Sequence, residues 1–542
     1  MGWLADETGL ERGPANFVPL TPLSHLARAA RIWPGREAVV YGAERTTYAA
    51  YRDRVSRLAS ALERLGVRPG DVVATLLPNV PAQVEAGFGV PAAGAVLATV
   101  NTRLDAETVR HILGHSGARV LLVDAALVPL AEAACGGLDA PPRLVEVPDH
   151  QAGIAASGRH RDYEALLADG DPARPWTTPA DEWESLSLNY TSGTTGRPKG
   201  VVTHHRGAYL LTMGTVVSWR MTLYPRLLTV VPLFHCNGWG HAWTMPLVGG
   251  TVVCLRDVAA RPIFDALADE GVTHFGAAPI VLTMLADARP EDRRPFPQAV
   301  SVYTAAAPAP AAILEAVEAM GLDVTHCYGL TETYGHVVEN VWQPGPWDDA
   351  GPAERAELKA RQGVLYPMME GVEVHGPDGR PVPPDGATPG EVAMRGNAVM
   401  KGYYRDPSAT AEAFRGGWLR TGDVAVVHPD GYLAITDRAK DVIISGGENV
   451  SSVAVEGVLA RHPAVSLCAV VARPDDRWGE VPHAFVELRE GATIDAAGLI
   501  AHCRARLPGF AAPKGVTFGP LPRTSTGKIQ KFALRDRLRA PA

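Results

Sequence analysis

The chain has 542 residues, of which 46% are hydrophobic and 20% are charged, and its formal net charge is −8. That length is too great for one small hydrophobic core, so two or more domains are expected. An acidic chain without a Lys/Arg-rich run is poorly suited to neutralise nucleic-acid phosphates, which excludes non-specific nucleic-acid binding as its function.

Membrane, secretory and zinc-binding classes are also disfavoured. No apolar run approaches the roughly 20 residues of a membrane span. The N-terminal stretch MGWLADETGLERG has acidic residues where a secretory signal has a basic segment and an apolar core, so we expect a cytoplasmic protein. The six cysteines show no CxxC spacing and no pairing with histidines, which predicts neither a disulfide framework nor a zinc site.

Strand and helix patterns alternate along the first 350 residues or so. The first block predicts strands at VVATLLP (72–78), VLATV (96–100) and VLLVD (120–124), with helices over 81–94 and 105–115. A second block predicts strands at LTVVPLF (228–234), TVVCLR (251–256) and THFGAA (273–278). Such alternation indicates βαβ units, and therefore a largely parallel sheet with helices on both faces.

The pattern changes twice in the second half of the chain. From about Gly371, segments such as VEVHGPDGRPVPPDG and EVAMRG combine short strands with Gly/Pro/Asp turns, which predicts a small β subdomain. The charged stretch DRAKD (437–441) is followed by about 100 residues with fresh strand and helix signals, including VSLCAVVA and HAFVELR. We therefore predict a domain boundary at DRAKD.

Lysine is rare in this chain, because only seven of its 51 basic residues are lysines and the rest are arginines. A compact ammonium group that is kept in such a background invites a chemical explanation. We interpret Lys359 and Lys401 as ordinary surface residues. Lys199, Lys440 and Lys528 fall inside the motifs described next.

The segment YTSGTTGRPKG (190–200) combines hydroxyl side chains, glycines and a lysine in the way that a phosphate-binding loop does. It is not the P-loop of nucleotide triphosphatases, G-x-x-x-x-G-K-[ST]. Counted from Gly193, the second glycine of that motif is replaced by Pro198, and Lys199 is followed by Gly200. Kinase and G-protein functions are thereby disfavoured.

This loop resembles the signature of the adenylate-forming superfamily, which includes acyl-CoA synthetases, adenylation domains and luciferases. Other family signatures follow in order: AAAP (305–308), YGLTETYG (328–335), GWLRTGD (417–423), DRAKDVIISGGENVSS (437–452) and PRTSTGKIQK (522–531). The amino-acid sequence of these motifs is most similar to that of short- and medium-chain fatty-acyl-CoA synthetases and acyl-activating enzymes.

The resemblance implies an α/β fold with a large N-terminal domain of mostly parallel sheets flanked by helices, plus a β subdomain. A small mobile α+β domain would follow. The implied division is an AMP- and acid-binding domain over 1–436, a hinge over 437–441 with Lys440 as the hinge residue, and a C-terminal lid domain over 442–542 that carries the catalytic lysine.

The implied first half-reaction is attack of a carboxylate on the α-phosphate of ATP, with loss of pyrophosphate. Because two anions must meet, its catalysis depends on charge neutralisation and positioning. The resemblance assigns catalytic roles to Lys528, Thr331, Glu332 and His235, with Glu332 holding Mg²⁺. A lone Thr–Glu pair is also typical of a helix cap, and a lone buried histidine of a structural one. The implied ATP- and AMP-binding residues are Thr191, Ser192, Gly193, Thr194, Thr195, Gly196, Lys199, Ala305, Ala306, Ala307, Pro308, Tyr328, Gly329, Asp423 and Arg438.

The stretch VPLFHCNGWGHAWT (231–244) carries most of the information on the acid. It lacks the acidic residue that amino-acid adenylation domains use to pair with a substrate ammonium, which favours an apolar or aromatic carboxylic acid. The resemblance makes His235 orient the carboxylate and Trp239 close the acyl tunnel. Small residues in the walls would leave volume for a bulky acid. The implied pocket residues are His235, Asn237, Trp239, Gly276, Ala277, Ala278, Gly329, Thr333, Tyr334, Gly335 and His336.

The second half-reaction would transfer the acyl group to the thiol of coenzyme A. The resemblance gives GGEN (446–449) to the pantetheine tunnel, and RWGE and GFAAPK to the nucleotide end of CoA. The implied CoA-binding residues are Gly446, Gly447, Glu448, Trp478, Phe510 and Lys514. Ala512 replaces an arginine of some relatives, which weakens the assignment of the nucleotide end.

The sequence thus predicts an acid–thiol ligase that uses ATP, Mg²⁺ and coenzyme A, with small molecules as partners, no nucleic acid and no transmembrane segment. A homodimer is left open. Three alternatives also stay open: an adenylating enzyme that loads a carrier-protein pantetheine, a family member that retains only thioesterification, and a non-catalytic nucleotide-binding module.

Overall fold

The computed structural model of the protein describes residues 6–191, 198–438, 440–446, 448–475, 477–524 and 528–539. The strands in these ranges, in chain order, are β1 (Glu37–Tyr41), β2 (Glu44–Thr47), β3 (Val72–Leu76), β4 (Val96–Thr99), β5 (Val120–Asp124), β6 (Arg143–Val147), β7 (Arg161–Asp162), β8 (Ser185–Tyr190), β9 (Gly200–His204), β10 (Arg226–Leu228), β11 (Thr251–Val253), β12 (His274–Ala277), β13 (Val300–Thr304), β14 (Leu322–Leu330), β15 (Gly335–Glu339), β16 (Val364–Leu365), β17 (Met369–His375), β18 (Gly390–Gly396), β19 (Gly402–Tyr403), β20 (Leu419–Val427), β21 (Leu433–Arg438), β22 (Ile443–Ser445), β23 (Glu448–Val450), β24 (Val465–Asp475), β25 (Gly479–Leu488) and β26 (Gly515–Phe518).

The helices in the same ranges are α1 (Leu23–Ile32), α2 (Tyr48–Arg64), α3 (Pro81–Ala92), α4 (Ala106–Ser116), α5 (Val128–Cys135), α6 (Tyr163–Ala168), α7 (His205–Ser218), α8 (Cys236–Trp239), α9 (His241–Thr244), α10 (Ala260–Asp269), α11 (Pro279–Ala286), α12 (Ala311–Glu318), α13 (Pro352–Ala360), α14 (Pro407–Ala413), α15 (Ser452–Ala460), α16 (Ala496–Arg504) and α17 (Lys531–Arg539). Short 3-10 turns occupy Ala125–Leu127, Met245–Val248, Pro290–Asp292, Thr331–Thr333 and Arg415–Gly417. Of the helices that the structure describes, none combines the length and apolar character needed to cross a membrane.

The first large sheet has the strand order β19-β9-β8-β4-β3-β5-β6-β7. Strands β8, β4, β3, β5, β6 and β7 run parallel, whereas β9 and β19 are antiparallel to their neighbours. Alternate residues of β3 enter different cores: Val72, Ala74 and Leu76 pack with α4 and α5, and Val73 packs with α2 and α3. Helices therefore cover both faces, as the continuous apolar runs of these strands predicted.

The second large sheet has the order β16-β15-β14-β13-β12-β10-β11-β1-β2. Its central strands, β14, β13, β12, β10, β11 and β1, are parallel. Phe275 and Val302 face a core formed with helices α10 to α12, while Tyr303 faces the main core on the other side. The carboxyl ends of β12 and β13, and the turn after β14, carry the predicted adenine and acyl residues.

Two smaller sheets complete the structure. Strands β17-β18-β20-β21 form the antiparallel subdomain that the Gly/Pro-rich texture predicted. Strands β23-β22-β25-β24, with β26 beside β25, form a separate sheet that begins at Ile443, after the DRAKD stretch. These observations confirm the α/β fold class, with large parallel sheets first and a smaller α+β unit last.

One predicted strand is much shorter than expected. The run LTVVPLF (228–234) contributes only its first residue to β10, which ends at Leu228. Beyond Leu228, the side chain of Asn79 hydrogen-bonds the backbone. Its Nδ2 donates to the carbonyls of Thr229 and Val231, and its Oδ1 accepts from Leu233 N–H at 2.7 Å. Pro232 has no N–H for a sheet ladder, so the chain turns here instead.

The interpretation of Lys359 as a surface residue was wrong. Its side chain is buried, with 7% of the residue exposed, and its ammonium group pairs with Glu318 and, at 3.0 Å, with Asp323. Lys401 is half-buried rather than exposed, and its Nζ donates to the Ser185 hydroxyl at 3.2 Å. Both lysines make contacts inside the fold, which a sequence pattern does not reveal.

Candidate active site

The predicted phosphate loop leaves β8 and returns in β9, with Tyr190 paired opposite Gly200. Its ends are tied together, because the N–H of Thr191 donates to the Lys199 carbonyl at 3.0 Å and the N–H of Lys199 donates to the Thr191 hydroxyl at 3.2 Å. The assigned residues between these ends lie outside the described ranges, and their role stays a prediction: Ser192, Gly193, Thr194, Thr195 and Gly196.

The TET turn follows β14 and brings two predicted catalytic side chains toward the loop. The thiol of Cys236 donates to the Thr331 hydroxyl oxygen at 3.3 Å, which joins this turn to the residue after His235. The hydroxyl of Thr333 closes the turn itself by bonding to the Leu330 and Gly335 backbone. Cys236 therefore contacts the Thr331 side chain within a turn that Thr333 closes.

Glu332 is the candidate metal ligand. In the part of the chain that the structure describes, Tyr403 is the side chain that hydrogen-bonds its carboxylate, donating to Oε1 at 2.7 Å. Those same ranges hold no group of three or more His, Cys, Asp or Glu residues arranged around a common metal position. A single carboxylate with one oxygen left open suits Mg²⁺, which commonly binds through one or two carboxylates together with substrate phosphates. The donor set thus fits the predicted ion.

Tyr328, Asp423 and Arg438 meet at the predicted nucleotide end. Strands β20 and β21 pair Asp423 directly opposite Arg438, and Arg438 Nε lies 3.0 Å from Asp423 Oδ1. The Tyr328 hydroxyl donates to Asp423 Oδ2 at 2.8 Å. The Asp423 side chain is almost fully buried, so both partners are needed to hold its charge. The arrangement offers a fixed carboxylate to a pair of hydroxyl groups.

The AAAP segment follows β13 and has one unusual backbone conformation. Ala305 is buried and Pro308 is exposed, while Ala306 has a φ of 78°, in the left-handed region that non-glycine residues rarely occupy. Gly329 in β14 lies so close to the Gly335 carbonyl that a Cβ there would overlap it at 1.7 Å. The backbone around the predicted adenine position is therefore tightly specified; Ala307 lies half-buried in the same segment.

Lys528 lies beside this charged group. Burial, followed by the neighbouring charge of Arg438, lowers the pKa of Lys528 to about 8, and the carboxylates of Asp423 and Asp441 oppose that shift. The Lys528 carbonyl accepts from Thr524 N–H at 2.7 Å, which closes the loop that carries the lysine. Lys528, whose catalytic role stays a prediction, is therefore close to Arg438 and Asp423, the residues assigned to the nucleotide.

His235 lies between the lysine and the TET turn. Burial, and to a smaller extent the charge of Lys528, lowers the pKa of His235 to about 4, so its imidazole is neutral near pH 7. Its Nε2 is 3.9 Å from the Sγ of Cys236. A neutral imidazole orients a carboxylate by hydrogen bonding rather than by charge, which matches the predicted role.

The residues after His235 form a strained turn. Cys236, Asn237 and Trp239 have φ values of 43°, 44° and 54°, all in the left-handed region. Ser187 and Asn189 of β8 each donate to Asn237 Oδ1 at 2.7 Å and anchor this turn to the first sheet. Backbone strain of this kind persists only where the surroundings over-determine it.

Trp239 fills the volume that the small wall residues were expected to leave free. A Cβ added to Gly276 would lie 3.1 Å from the Trp239 ring, 2.9 Å from His241 and 2.8 Å from Val231. A Cβ on Gly335 would lie 3.2 Å from Trp239 Cβ. The two glycines therefore make room for the indole rather than for a bulky acid, contrary to the sequence-based expectation.

Behind Trp239 lies a buried cluster of aromatic and imidazole rings. The ring of His336 is 6.1 Å from Trp239, 5.8 Å from His241 and 5.0 Å from Tyr303. Burial lowers the pKa of His336 to about 3, and its Nε2 hydrogen-bonds the Tyr366 hydroxyl at 3.1 Å. This end of the site is neutral and closely packed.

Three more predicted pocket residues have contacts that fix the local backbone. The hydroxyl of Tyr334 donates to the His204 carbonyl at 2.7 Å, which directs this side chain toward α7. Ala277 is completely buried in β12, and Ala278, half-buried, caps α11 at its N-terminus. Their assignment to the acyl pocket stays a prediction.

The predicted CoA residues that the structure describes fall into two groups, one at the last sheet and one on a separate loop. Gly446 has a φ of 62°, its N–H donates to the Trp478 carbonyl at 2.8 Å, and a Cβ there would lie 2.7 Å from the Trp478 ring. The side chain of Trp478 is 45% exposed, and Glu448 is exposed beside it in β23. Phe510, also exposed, and Lys514 lie on a separate loop, where Lys514 donates to the Gly509 carbonyl. Gly447 lies outside the described residues.

Lys440 lies in an exposed turn, where the N–H of Asp441 donates to the Arg438 carbonyl at 2.8 Å. The carboxylate of Asp441 pairs with Arg535 of helix α17. The segment after the turn is thus bonded to the helix that follows the catalytic lysine.

Two residues with direct contacts to catalytic side chains carried no assignment in the sequence analysis. Cys236 contacts Thr331, and Tyr403 contacts Glu332. Cys236 stood inside the quoted stretch HCNGW, so its neighbour His235 could have indicated it. Tyr403 follows Lys401, which was interpreted as a surface residue, and no pattern in KGYY separates it from Tyr404.

A cavity of about 450 Å³ lies elsewhere, behind β8 and β9. Its walls include Val72, Leu188, Val202, Lys401 and Tyr404. Among the described residues that were assigned from the sequence, none lines this cavity, so its size is not used as information on the acid.

Comparison with known proteins identifies related sequences. The family model of AMP-binding enzymes matches residues 26–404, and that of the AMP-binding enzyme C-terminal domain matches residues 454–528. An acetate/butyrate–CoA ligase from Arabidopsis thaliana, a peroxisomal protein, is 46% identical over 551 residues that cover 98% of this chain and 97% of that protein. A 2-methylpropanoate–CoA ligase from Humulus lupulus is 45% identical over 542 residues, covering 98% of this chain and 97% of its own.

The fold also matches solved structures. An anthranilate CoA ligase in complex with anthranoyl-AMP superposes with a TM-score of 0.85 at 26% identity, and the match covers 97% of this chain and 99% of that one. The agreement extends over nearly the full length of both proteins.

Proposed function

The chain belongs to the family of AMP-binding enzymes, and on that premise we propose that it is an AMP-forming acyl-CoA synthetase for short apolar carboxylic acids. It joins the acid to ATP, giving acyl-AMP and pyrophosphate, and then passes the acyl group to coenzyme A with release of AMP. The observation that carries this proposal is the convergence of Lys528, Asp423 and Arg438 opposite the His235–Cys236–Thr331 contact.

Adenylation is a problem of charge, since a carboxylate must approach a polyphosphate. Lys528, largely protonated at neutral pH, bridges the two anions at the α-phosphate. Thr331 donates its hydroxyl proton to an α-phosphate oxygen while Cys236 occupies its lone pair. Asp423, held by Tyr328 and Arg438, accepts the ribose hydroxyls. Bound Mg²⁺ would be held by Glu332, and its chemistry is to neutralise phosphate charge.

The acyl end favours a short chain. Because the Trp239 indole occupies the space beside Gly276, it limits the room for an acyl tail that extends past His235. The names of the two relatives, which refer to acetate, butyrate and 2-methylpropanoate, support acids of that size. An aromatic acid is the second candidate, because the structurally similar ligase carries anthranoyl-AMP.

The domain motion in this proposal depends on the same resemblance. The C-terminal lid, 442–542, rotates about the hinge at 437–441 with Lys440 absorbing the backbone change, and the hairpin that carries Gly446 then faces the thiol. The separate sheet that begins at Ile443 supports this division. We also propose a cytoplasmic location for the protein, and we leave a homodimer open.

The proposal is tested by measuring pyrophosphate release with acetate, butyrate, 2-methylpropanoate, hexanoate, benzoate and cinnamate, each with and without CoA. We expect release with the short acids, a CoA thioester as the final product, and AMP in equal amount.

Other outcomes identify the alternatives. Release that yields no CoA thioester but acylates a pantetheine carrier protein would assign the loading function. If no acid releases pyrophosphate, while synthetic acyl-adenylates still give thioester with CoA, the adenylation half-reaction is absent and the proposal is wrong.

A further inference from the structure

Strand β19 connects the phosphate loop to the metal carboxylate. It pairs with β9 through Gly402 opposite Val202 and Tyr403 opposite Val201, directly after the loop returns at Gly200. On its other side, the N–H of Met400 donates to the carbonyl of Glu332 at 2.8 Å. The segment 400–403 therefore touches both the loop strand and the TET turn through backbone bonds.

The side chain of Tyr403 repeats this connection. Its hydroxyl donates to Glu332 Oε1 at 2.7 Å, and the Nζ of Lys199 lies 4.8 Å from the centroid of its ring. One residue thus contacts the carboxylate assigned to the metal and the ammonium at the end of the phosphate loop. The hydroxyl and the ring belong to one rigid phenol group, because only two rotatable bonds join that group to the backbone.

The hydrogen bond has a defined chemical consequence. With Oε1 engaged by a donor, rotation of the Glu332 carboxylate is restricted, and among the described residues no side chain donates to Oε2, which is the oxygen we assign to the cation. Donors in this position orient metal-binding carboxylates, and removing them typically weakens metal affinity or activity by about 10- to 100-fold. The ring contact is weaker, since an exposed cation–π pair changes an equilibrium by about two- to fivefold.

We propose that Tyr403 is a positioning residue for Mg·ATP: it aims the Glu332 carboxylate at the metal ion and supports Lys199 against the terminal phosphates. This inference rests on the proposed function for its ligand. It adds that recognition of the metal and of the phosphates is coupled through one side chain, so that removal of the hydroxyl and removal of the ring give different defects.

The experiment measures binding rather than turnover. The dissociation constant of α,β-methylene-ATP, which cannot lose pyrophosphate, is determined by calorimetry in excess Mg²⁺ and in EDTA. The ratio of the two constants reports how much the metal ion strengthens nucleotide binding. For Tyr403→Phe we expect this ratio to fall by about tenfold with binding in EDTA unchanged. For Tyr403→Leu we expect the same fall and a further loss of about two- to fivefold in EDTA.

Two comparisons separate positioning from a general loss of structure. Tyr404→Phe is the matched control, since the side chain of this adjacent tyrosine lines a different cavity and no hydrogen bond joins it to Glu332 among the described residues; it should leave both constants unchanged. In a Glu332→Gln background, where the carboxylate is gone, Tyr403→Phe should add no further change to the Mg²⁺ ratio.

The outcomes distinguish this inference from the proposed function. A Tyr403→Phe ratio equal to that of the wild type, or an equal loss in the Glu332→Gln background, overturns the positioning role even if the enzyme makes acyl-CoA. Conversely, if the Mg²⁺ ratio falls as expected in Tyr403→Phe, the positioning role stands even when no acid releases pyrophosphate. A wild-type protein that binds no nucleotide overturns both.

Discussion

The nucleotide end and the acyl end of the site hold their side chains by different means. Around Asp423, the partners Tyr328, Arg438 and Lys528 are joined by hydrogen bonds and opposite charges. Around Trp239, buried rings pack against one another and the imidazoles are neutral. The first region is therefore specified by charge and the second by volume. Substitutions at the nucleotide end should alter rate, and those at the acyl end should alter the choice of acid.

The largest expected effect is at Lys528. Lys528→Ala removes the ammonium that bridges the two anions, and we expect pyrophosphate release to fall by about 10²- to 10³-fold, as for other lost charge-stabilising donors. Transfer from a preformed acyl-adenylate to CoA should be retained, because that step does not join two anions. The measurement is single-turnover pyrophosphate release beside thioester formation. An equal loss of pyrophosphate release and of thioester formation would contradict the prediction that Lys528 acts in the adenylation step alone.

Trp239→Ala should change selectivity rather than chemistry. Opening the space beside Gly276 admits extra methylene groups, each of which a closed pocket disfavours by about tenfold or more. We expect the ratio of kcat/KM for hexanoate over that for butyrate to rise by at least about tenfold. Trp239→Leu, which leaves less space, should give a smaller rise, and the exposed Trp183→Ala none. An unchanged ratio in both Trp239 variants would mean that the indole does not limit the chain.

The pH profile of the nucleotide end should follow Lys528. Its pKa is lowered to about 8 by burial and Arg438, so the ammonium is intact below that pH and lost above it. We expect kcat/KM for ATP, which reports the free enzyme, to fall by about tenfold per pH unit above 8. Lys528→Arg, although slower, should lose this alkaline decline because a guanidinium stays charged. A decline that persists in the arginine variant would assign it to another group.

The smallest expected effect concerns acid stability at the acyl end. Burial lowers the pKa of His336 to about 3, below its usual 6.5, so the unfolded chain binds its proton first. The stabilisation is therefore complete above about pH 6.5 and lost as the pH falls, by about 1.4 kcal/mol per unit. His336→Gln should be less sensitive to acid than the wild type between pH 6 and 4, whereas exposed His150→Gln should match the wild type. Denaturant unfolding at several pH values measures this difference.

The nucleotide end and the acyl end also differ in how far they could be predicted from the sequence. The charged end was predictable because TGD, TETYG and TSTGK name the side chains that carry the charge, and the structure brings Asp423, Arg438 and Lys528 together. The alternating apolar runs also predicted largely parallel sheet structure with helices on both faces, without dividing it into the two large sheets that are observed. Charged motifs are informative because a few residue types suit each ligand.

The volume of the acyl end was not predictable. Whether Gly276 leaves a gap or accommodates Trp239 depends on how β12 packs against a left-handed turn, and no local pattern encodes that. The strand expected over 228–234 is shorter than predicted for a similar reason. The side chain of Asn79, which is distant in the sequence, hydrogen-bonds the backbone beyond Leu228. Cys236 and Tyr403 were missed because their importance lies in the partner that they contact.

The bonds that hold Asp423 have a thermodynamic consequence for nucleotide binding. Its carboxylate is already ordered by Tyr328 and Arg438 before a ribose arrives. Immobilising a flexible side chain on binding typically costs about 0.5–1.5 kcal/mol of conformational entropy. Folding has ordered these three side chains in advance, so nucleotide affinity at this end should depend more on the enthalpy of the new hydrogen bonds than on side-chain freezing.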